Sequence, residues 1–133
     1  MKISFLFSLL LLCLLVTGCK KQTEFIVKFE ITSTAPATAP FNLVATKIGL
    51  QEIASIPGLS AGSTSWDHTK TVNTEYRPLD IYMAPANIYL TAPGSATLRI
   101  SINGEVKAEK TYSSTDLQGQ NMVSTVGLTY TIK

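Results

Sequence analysis

From Phe25 onward, apolar and polar residues alternate along much of the chain. Phe25, Val27, Phe29 and Ile31 fall on one side of an extended backbone, with Lys28, Glu30 and Thr32 on the other. This period of two predicts a half-buried β-strand. Ser33 to Pro40, with prolines among small residues, reads as a loop. A second strand is expected from Phe41 to about Ile48 and a weaker third from Gln51 to Ile56, closed by Pro57-Gly58. Leu59 to Ser65 reads as a Gly/Ser-rich loop, Trp66 to Val72 as a fourth strand and Leu79 to Met83 as a fifth. The sharpest signal is Ala96 to Ile102, which alternates up to Asn103-Gly104, the pair that supplies two positive-φ residues for a type I′ turn. Glu105 to Tyr112 then returns antiparallel, Ser113 to Gln120 reads as a loop, and Val123 to Ile132 closes the chain with Val126, Leu128, Tyr130 and Ile132 on one face. No segment shows a capped 3.6-residue apolar period. Seven to eight short strands at this spacing predict an all-β antiparallel sandwich.

Before Phe25 the pattern is different. Lys2 is followed by 14 apolar or small residues, Ile3 to Val16, then Thr17-Gly18-Cys19 and Lys20-Lys21. The run is short for a spanning helix, which needs about 20 apolar residues, and no A-x-A-like tripeptide marks a plain secretory cleavage site. Charge, length, small residues and cysteine together resemble a bacterial lipoprotein signal peptide. That resemblance implies diacylglycerol on the Cys19 sulfur, removal of residues 1–18 and acylation of the new amine. The expected organisation is a signal peptide over 1–18, a lipidated tether over 19–23 and a sandwich domain over 24–133. The first partner is then a lipid bilayer, held through acylated Cys19. Lys20 and Lys21 would lie at headgroup level, where anionic lipids attract each charge by about 1 kcal/mol. The location implied is the extracytoplasmic side of the cell envelope. In a host with two membranes, the absence of aspartate after the cysteine resembles outer-membrane sorting.

Composition narrows the field. The 115 residues left after such a cleavage suffice for one domain with a core. The formal charge of +2 falls to +1 without Lys2, and acidic and basic residues are interspersed. No basic stripe supports nucleic-acid binding. Cys13 leaves with the leader and Cys19 takes the lipid, so no disulfide is expected and stability must come from packing and strand pairing.

The run Ile100-Ser101-Ile102-Asn103-Gly104-Glu105-Val106, with Ser65-Trp66 upstream before a strand, resembles the small mycobacterial membrane proteins (MmpS) and their relatives, over Glu24 to Tyr112. The resemblance implies an immunoglobulin-like domain outside the cytoplasmic membrane. In mycobacteria such proteins assist lipid and siderophore exporters. They hang from an uncleaved helix where this chain has Cys19, and Val123 to Ile132 lies beyond the matched region. The fold is therefore carried over as an expectation and the transport role is not.

Chemistry-bearing residues are few. His68 is the single histidine, so no zinc or copper ligand set can be assembled, and neither a metal nor another cofactor is expected. Asp67 and His68 are adjacent, and neighbours on a strand point to opposite faces, so Asp67 cannot orient the imidazole as in a triad. His68 is expected on an exposed sandwich face. Nothing places Asp67 and Asp80 across a cleft as paired carboxylates, and Gly-rich phosphate motifs are absent. Aromatics remain: Trp66, Tyr76 and Tyr82 are the candidates for ligand or partner contact, while Trp66 also suits packing against the sandwich. If Ile81 and Met83 point inward, Tyr82 points outward and is the aromatic expected to be most exposed. The sequence thus favours a non-enzymatic, lipid-tethered interaction or accessory protein with an envelope partner. A carbohydrate- or surface-binding module is the alternative.

Overall fold

The computed structural model describes residues 23–38, 43–51, 54–125 and 127–133. The leader, Cys19, Lys20, Lys21, the expected start of the second strand at Phe41, and Val126 lie outside the described residues. Within them the chain is all-β and antiparallel, with 11 strands in three sheets and no helix. The strands are β1 (Glu24–Ser33), β2 (Leu43–Ile48), β3 (Ala54–Pro57), β4 (Ser65–Asn73), β5 (Leu79–Pro85) and β6 (Ile88–Leu90), then β7 (Ser95–Ile102), β8 (Glu105–Ser113), β9 (Thr115–Leu117), β10 (Gln120–Val123) and β11 (Leu128–Ile132).

One layer is the sheet β4-β1-β7-β8, and the other is built from β11-β5-β2-β3 and β6-β10-β9. The last two sheets use the same stretches of chain, because β5 runs on into β6 and β10 into β11. The pairs β5/β11 and β6/β10 are therefore one ribbon in two parts, β5 followed by β6 and β10 followed by β11. Two segments cross between layers, as strands do at sandwich corners. After β1, Ala37 bridges Leu90 of β6, and after β8 the chain continues through Ser114 into β9, which pairs with β10.

The alternation read along the sequence becomes a core. Phe25, Val27, Phe29 and Ile31 of β1 are buried together with Leu98, Ile100 and Ile102 of β7, and they join Val44, Ile48, Ile81 and Met83 of the other layer in one apolar cluster. Asn103 (φ 52°) and Gly104 (φ 83°) form the turn from β7 to β8 with both residues at positive φ, as expected for type I′. Lys107 is an extra residue there: Ile100 pairs with Ala108 but Ser101 with Val106, which makes a β-bulge.

The structure corrects the strand count of seven to eight. The expected loop over Ser113 to Gln120 is instead the β9–β10 hairpin, turned by Gln118 (φ 55°) and Gly119 (φ 81°). Glutamine in the left-handed region is uncommon, so Gln-Gly gives no signal comparable to Asn-Gly. β6 has only three residues, too few for a period to register. The expected third strand from Gln51 begins instead at Ala54, because Gln51 belongs to a turn whose amide donates to the Ile48 carbonyl at 3.3 Å.

Candidate functional site: a cleft at one end of the sandwich

β1 begins where β4 ends, with Glu24 opposite Asn73, and Thr74 N–H donates to the Thr23 carbonyl at 2.8 Å. The chain therefore enters the domain at the end that also carries the β2–β3 turn and the β4–β5 loop. Between these two connections lies a cleft of about 1040 Å³. Val72, Leu79 and Ile81 contribute buried apolar surface to it, and Lys47, Gln51, Asn73 and Asp80 add polar groups.

Both walls have identifiable causes. Gly49 (φ 60°) turns the chain out of β2 while its N–H donates to the Asp80 carbonyl at 2.7 Å. A Cβ there would stand 2.8 Å from Leu79 Cδ1, so both the backbone and the space call for glycine. The turn projects Leu50, which is 91% exposed. Across the mouth, Lys70 Nζ of β4 donates to Gln51 Oε1 at 2.6 Å and ties the turn to the opposite layer. In the other wall, the Arg77 guanidinium lies 4.6 Å over the Phe25 ring and donates to the Tyr76 and Thr74 carbonyls at 2.6 and 3.4 Å. This clasp fixes the backbone of the loop and leaves Tyr76 74% exposed.

Of the three aromatics named from the sequence, Tyr76 and Tyr82 line this cleft and Trp66 does not. Tyr82 points outward from β5 as expected, since Leu79, Ile81 and Met83 are buried, but it is half-buried. Its ring lies against Gly127, where a Cβ would come within 3.1 Å of Tyr82 Cε2. Tyr76, on a loop where no strand neighbour can cover it, is the more exposed of the two. Trp66 is part of the architecture: Nε1 donates to the Pro57 carbonyl at 2.8 Å and the ring packs against the core. It lies six residues along β4 from Val72, about 20 Å at strand rise.

His68 departs from its expected exposure. It is half-buried, because it shares the inward row of β4 with Trp66, and the two rings stack at 6.4 Å with planes 19° apart. Asp67 points the other way, toward the outer face that carries Lys28. Asp80 lies on the outer face of the other layer, where it accepts from Thr131 Oγ1 at 2.7 Å. The two aspartates therefore do not face each other. No group of three His, Cys, Asp or Glu side chains converges among the described residues.

Two lysines on the first layer hold their protons more tightly than usual, and neither lines the cleft. The hydrogen bond that Lys28 donates to the Glu30 carboxylate at 2.8 Å raises its pKa, and Lys107, paired with the Glu105 carboxylate at 2.6 Å, is raised in the same way. Leu50, Gln51, Lys70 and Arg77, which shape the cleft, carried no signal in the sequence because their placement depends on two connections meeting in space. No family model, curated protein or solved structure matches the chain.

Proposed function

We propose that this chain is a membrane-anchored bacterial lipoprotein whose sandwich is a non-catalytic interaction or accessory domain of the cell envelope. The anchoring part of the reading rests on the leader and Cys19. The binding part rests on one observation: an open cleft whose rim displays a solvent-exposed tyrosine beside hydrogen-bonding groups, built on a rigid two-layer scaffold. Binding residues on loops held by such a scaffold are a common arrangement, and confinement to a membrane raises the effective concentration of a weakly held partner. Edge strands β3 and β4 flank the same side of the domain and offer further backbone contacts.

A carbohydrate- or surface-binding module is the second reading. It is favoured by Tyr76 and Tyr82 lining one cleft with Asn73, Asp80, Thr129 and Thr131, a combination of ring faces and hydroxyl-matching polar groups. Photo-crosslinking of the anchored chain from position 76, with position 117 as control, tests the first reading. It should link an envelope component from 76 alone. Equal labelling from both positions would count against it, and glycan-array binding lost in Tyr76→Ala would favour the second. His68→Ala should leave either activity unchanged. A folded, correctly localised His68→Ala protein without function would reopen an enzymatic reading.

A further inference from the structure

Large apolar side chains are unevenly exposed over this domain. Among the described residues Ile26 (47% exposed), Leu50 (91%), Tyr76 (74%), Val106 (49%) and Leu117 (52%) stand out. Four of the five lie at one end. Ile26 is near the start of β1, where its N–H donates to Asn103 Oδ1 at 2.8 Å, and Val106 follows the same Asn103-Gly104 turn. Leu50 and Tyr76 tip the two connections that frame the cleft. Only Leu117, in the β9–β10 hairpin, is at the opposite end.

We propose that this open end lies against the bilayer, with Leu50 and Tyr76 seated in the headgroup boundary. The inference rests on the lipid anchor proposed above. The chain enters the domain at this end, and residues 20–23 separate Cys19 from β1. Four residues reach at most about 14 Å when fully extended. The 10 residues of β1 span about 33 Å toward the other end. A lipid on Cys19 thus keeps the start of β1 within about 14 Å of the membrane, and with the strands upright the Leu117 end stands about 33 Å farther out. An amphipathic tyrosine ring suits an interface that is apolar on one side and wet on the other. Leu50 and Tyr76, exposed on the two connections that frame the cleft, supply the apolar contact.

Charges on the described residues of this end are mixed, Lys47, Arg77, Lys107 and Lys133 against Glu24, Glu75, Asp80 and Glu105. The attraction of anionic lipid to Lys20 and Lys21 acts on the tether. Apolar seating rather than attraction to anionic lipid then carries the contact, which should form on zwitterionic vesicles and persist in salt.

The test uses the full lipidated chain in phosphatidylcholine vesicles. Leu50→Cys, Tyr76→Cys and Leu117→Cys each introduce one thiol at an exposed site for a bimane label. With brominated acyl chains in the vesicles, emission from positions 50 and 76 should be lost and that from 117 retained. Hydroxyl-radical footprinting of the unsubstituted protein gives a second readout. Leu50, the more exposed leucine in the fold, should be oxidised less than Leu117 on vesicles. A chain that floats with acylated Cys19 but keeps its emission at 50 and 76, or loses it equally at all three positions, would overturn the contact and leave the anchor standing. Unmodified Cys19 and failure to float would overturn both.

Discussion

The two ends of the sandwich are built by different means. At the end away from the start of β1, connecting segments are stitched to one another through their backbones. Ser33 N–H donates to the Thr64 carbonyl, Thr34 to Ser95, Ala37 to Ser63, Gly62 to Ala37, Thr91 to Pro36 and Ser114 to Gly94, all within 3.0 Å. Ala35, Ala37 and Leu59 are buried among them, and Gly94 passes so close to Thr34 Oγ1 that a side chain would collide. At the end where β1 starts, backbone bonds also fix the connections, Gly49 N–H to the Asp80 carbonyl and Thr74 N–H to the Thr23 carbonyl, but the clasps that frame the cleft are side chains, Arg77 over Phe25 and Lys70 on Gln51, and the cleft stays open between them. Backbone hydrogen bonds satisfied across a loop close a surface. Side-chain clasps leave room. The closed end buries more of its connecting chain, and the open end keeps a cleft.

Two leucines separate these roles most strongly. Leu59 is 1% exposed at the closed end and Leu50 91% exposed at the open end. Leu59→Ala should cost about 2–5 kcal/mol, the usual range for a buried leucine, whereas Leu50→Ala should stay within about 0.5 kcal/mol. Denaturant midpoints of the two variants measure the difference, and equal losses would break the comparison. Gly104→Val introduces a β-branched residue at φ 83°, where space is open but the backbone is strained. A loss of about 1–3 kcal/mol is expected, read as a fall in melting temperature. Trp66→Phe removes the donor to Pro57 and should cost about 1 kcal/mol. Since Trp66 lies away from the cleft, crosslinking from position 76 should survive that substitution.

The smallest effect is one of pH. The Glu30 carboxylate raises Lys28 above 10.5, so the folded state holds that proton more tightly than the unfolded chain does. The contribution is fully present below pH 10.5 and is lost as the pH climbs through the raised value. Because the pair is exposed, Glu30→Gln should alter a stability profile above pH 10 only slightly.

Long alternating segments were legible from the sequence because burial of one face leaves a period of two. β1 and β7, ten and eight residues long, show it in full. The Asn103-Gly104 turn was legible because its two residues tolerate positive φ. Short pieces were not. β6 and β9 have three residues each and are held by register with β10 rather than by their own pattern. Leu59 was hidden in a Gly/Ser-rich stretch, since its burial comes from distant segments closing over it. Of the site, Tyr76 and Tyr82 could be named from residue type and strand parity. That both line one cleft could not, because it depends on how the connections come together at one end. Trp66 was named on residue type alone, and its hydrogen bond to Pro57 turns it into a strut.

Cys19 decides the proposed anchor, and with it which end of the sandwich is proposed to approach the membrane. Intact-mass spectrometry of the protein extracted from its native membrane tests that most directly. The predicted result is a chain that begins at Cys19 and carries the added mass of a diacylglycerol and an amine-linked acyl group. A longer chain containing an unmodified Cys19 would contradict it.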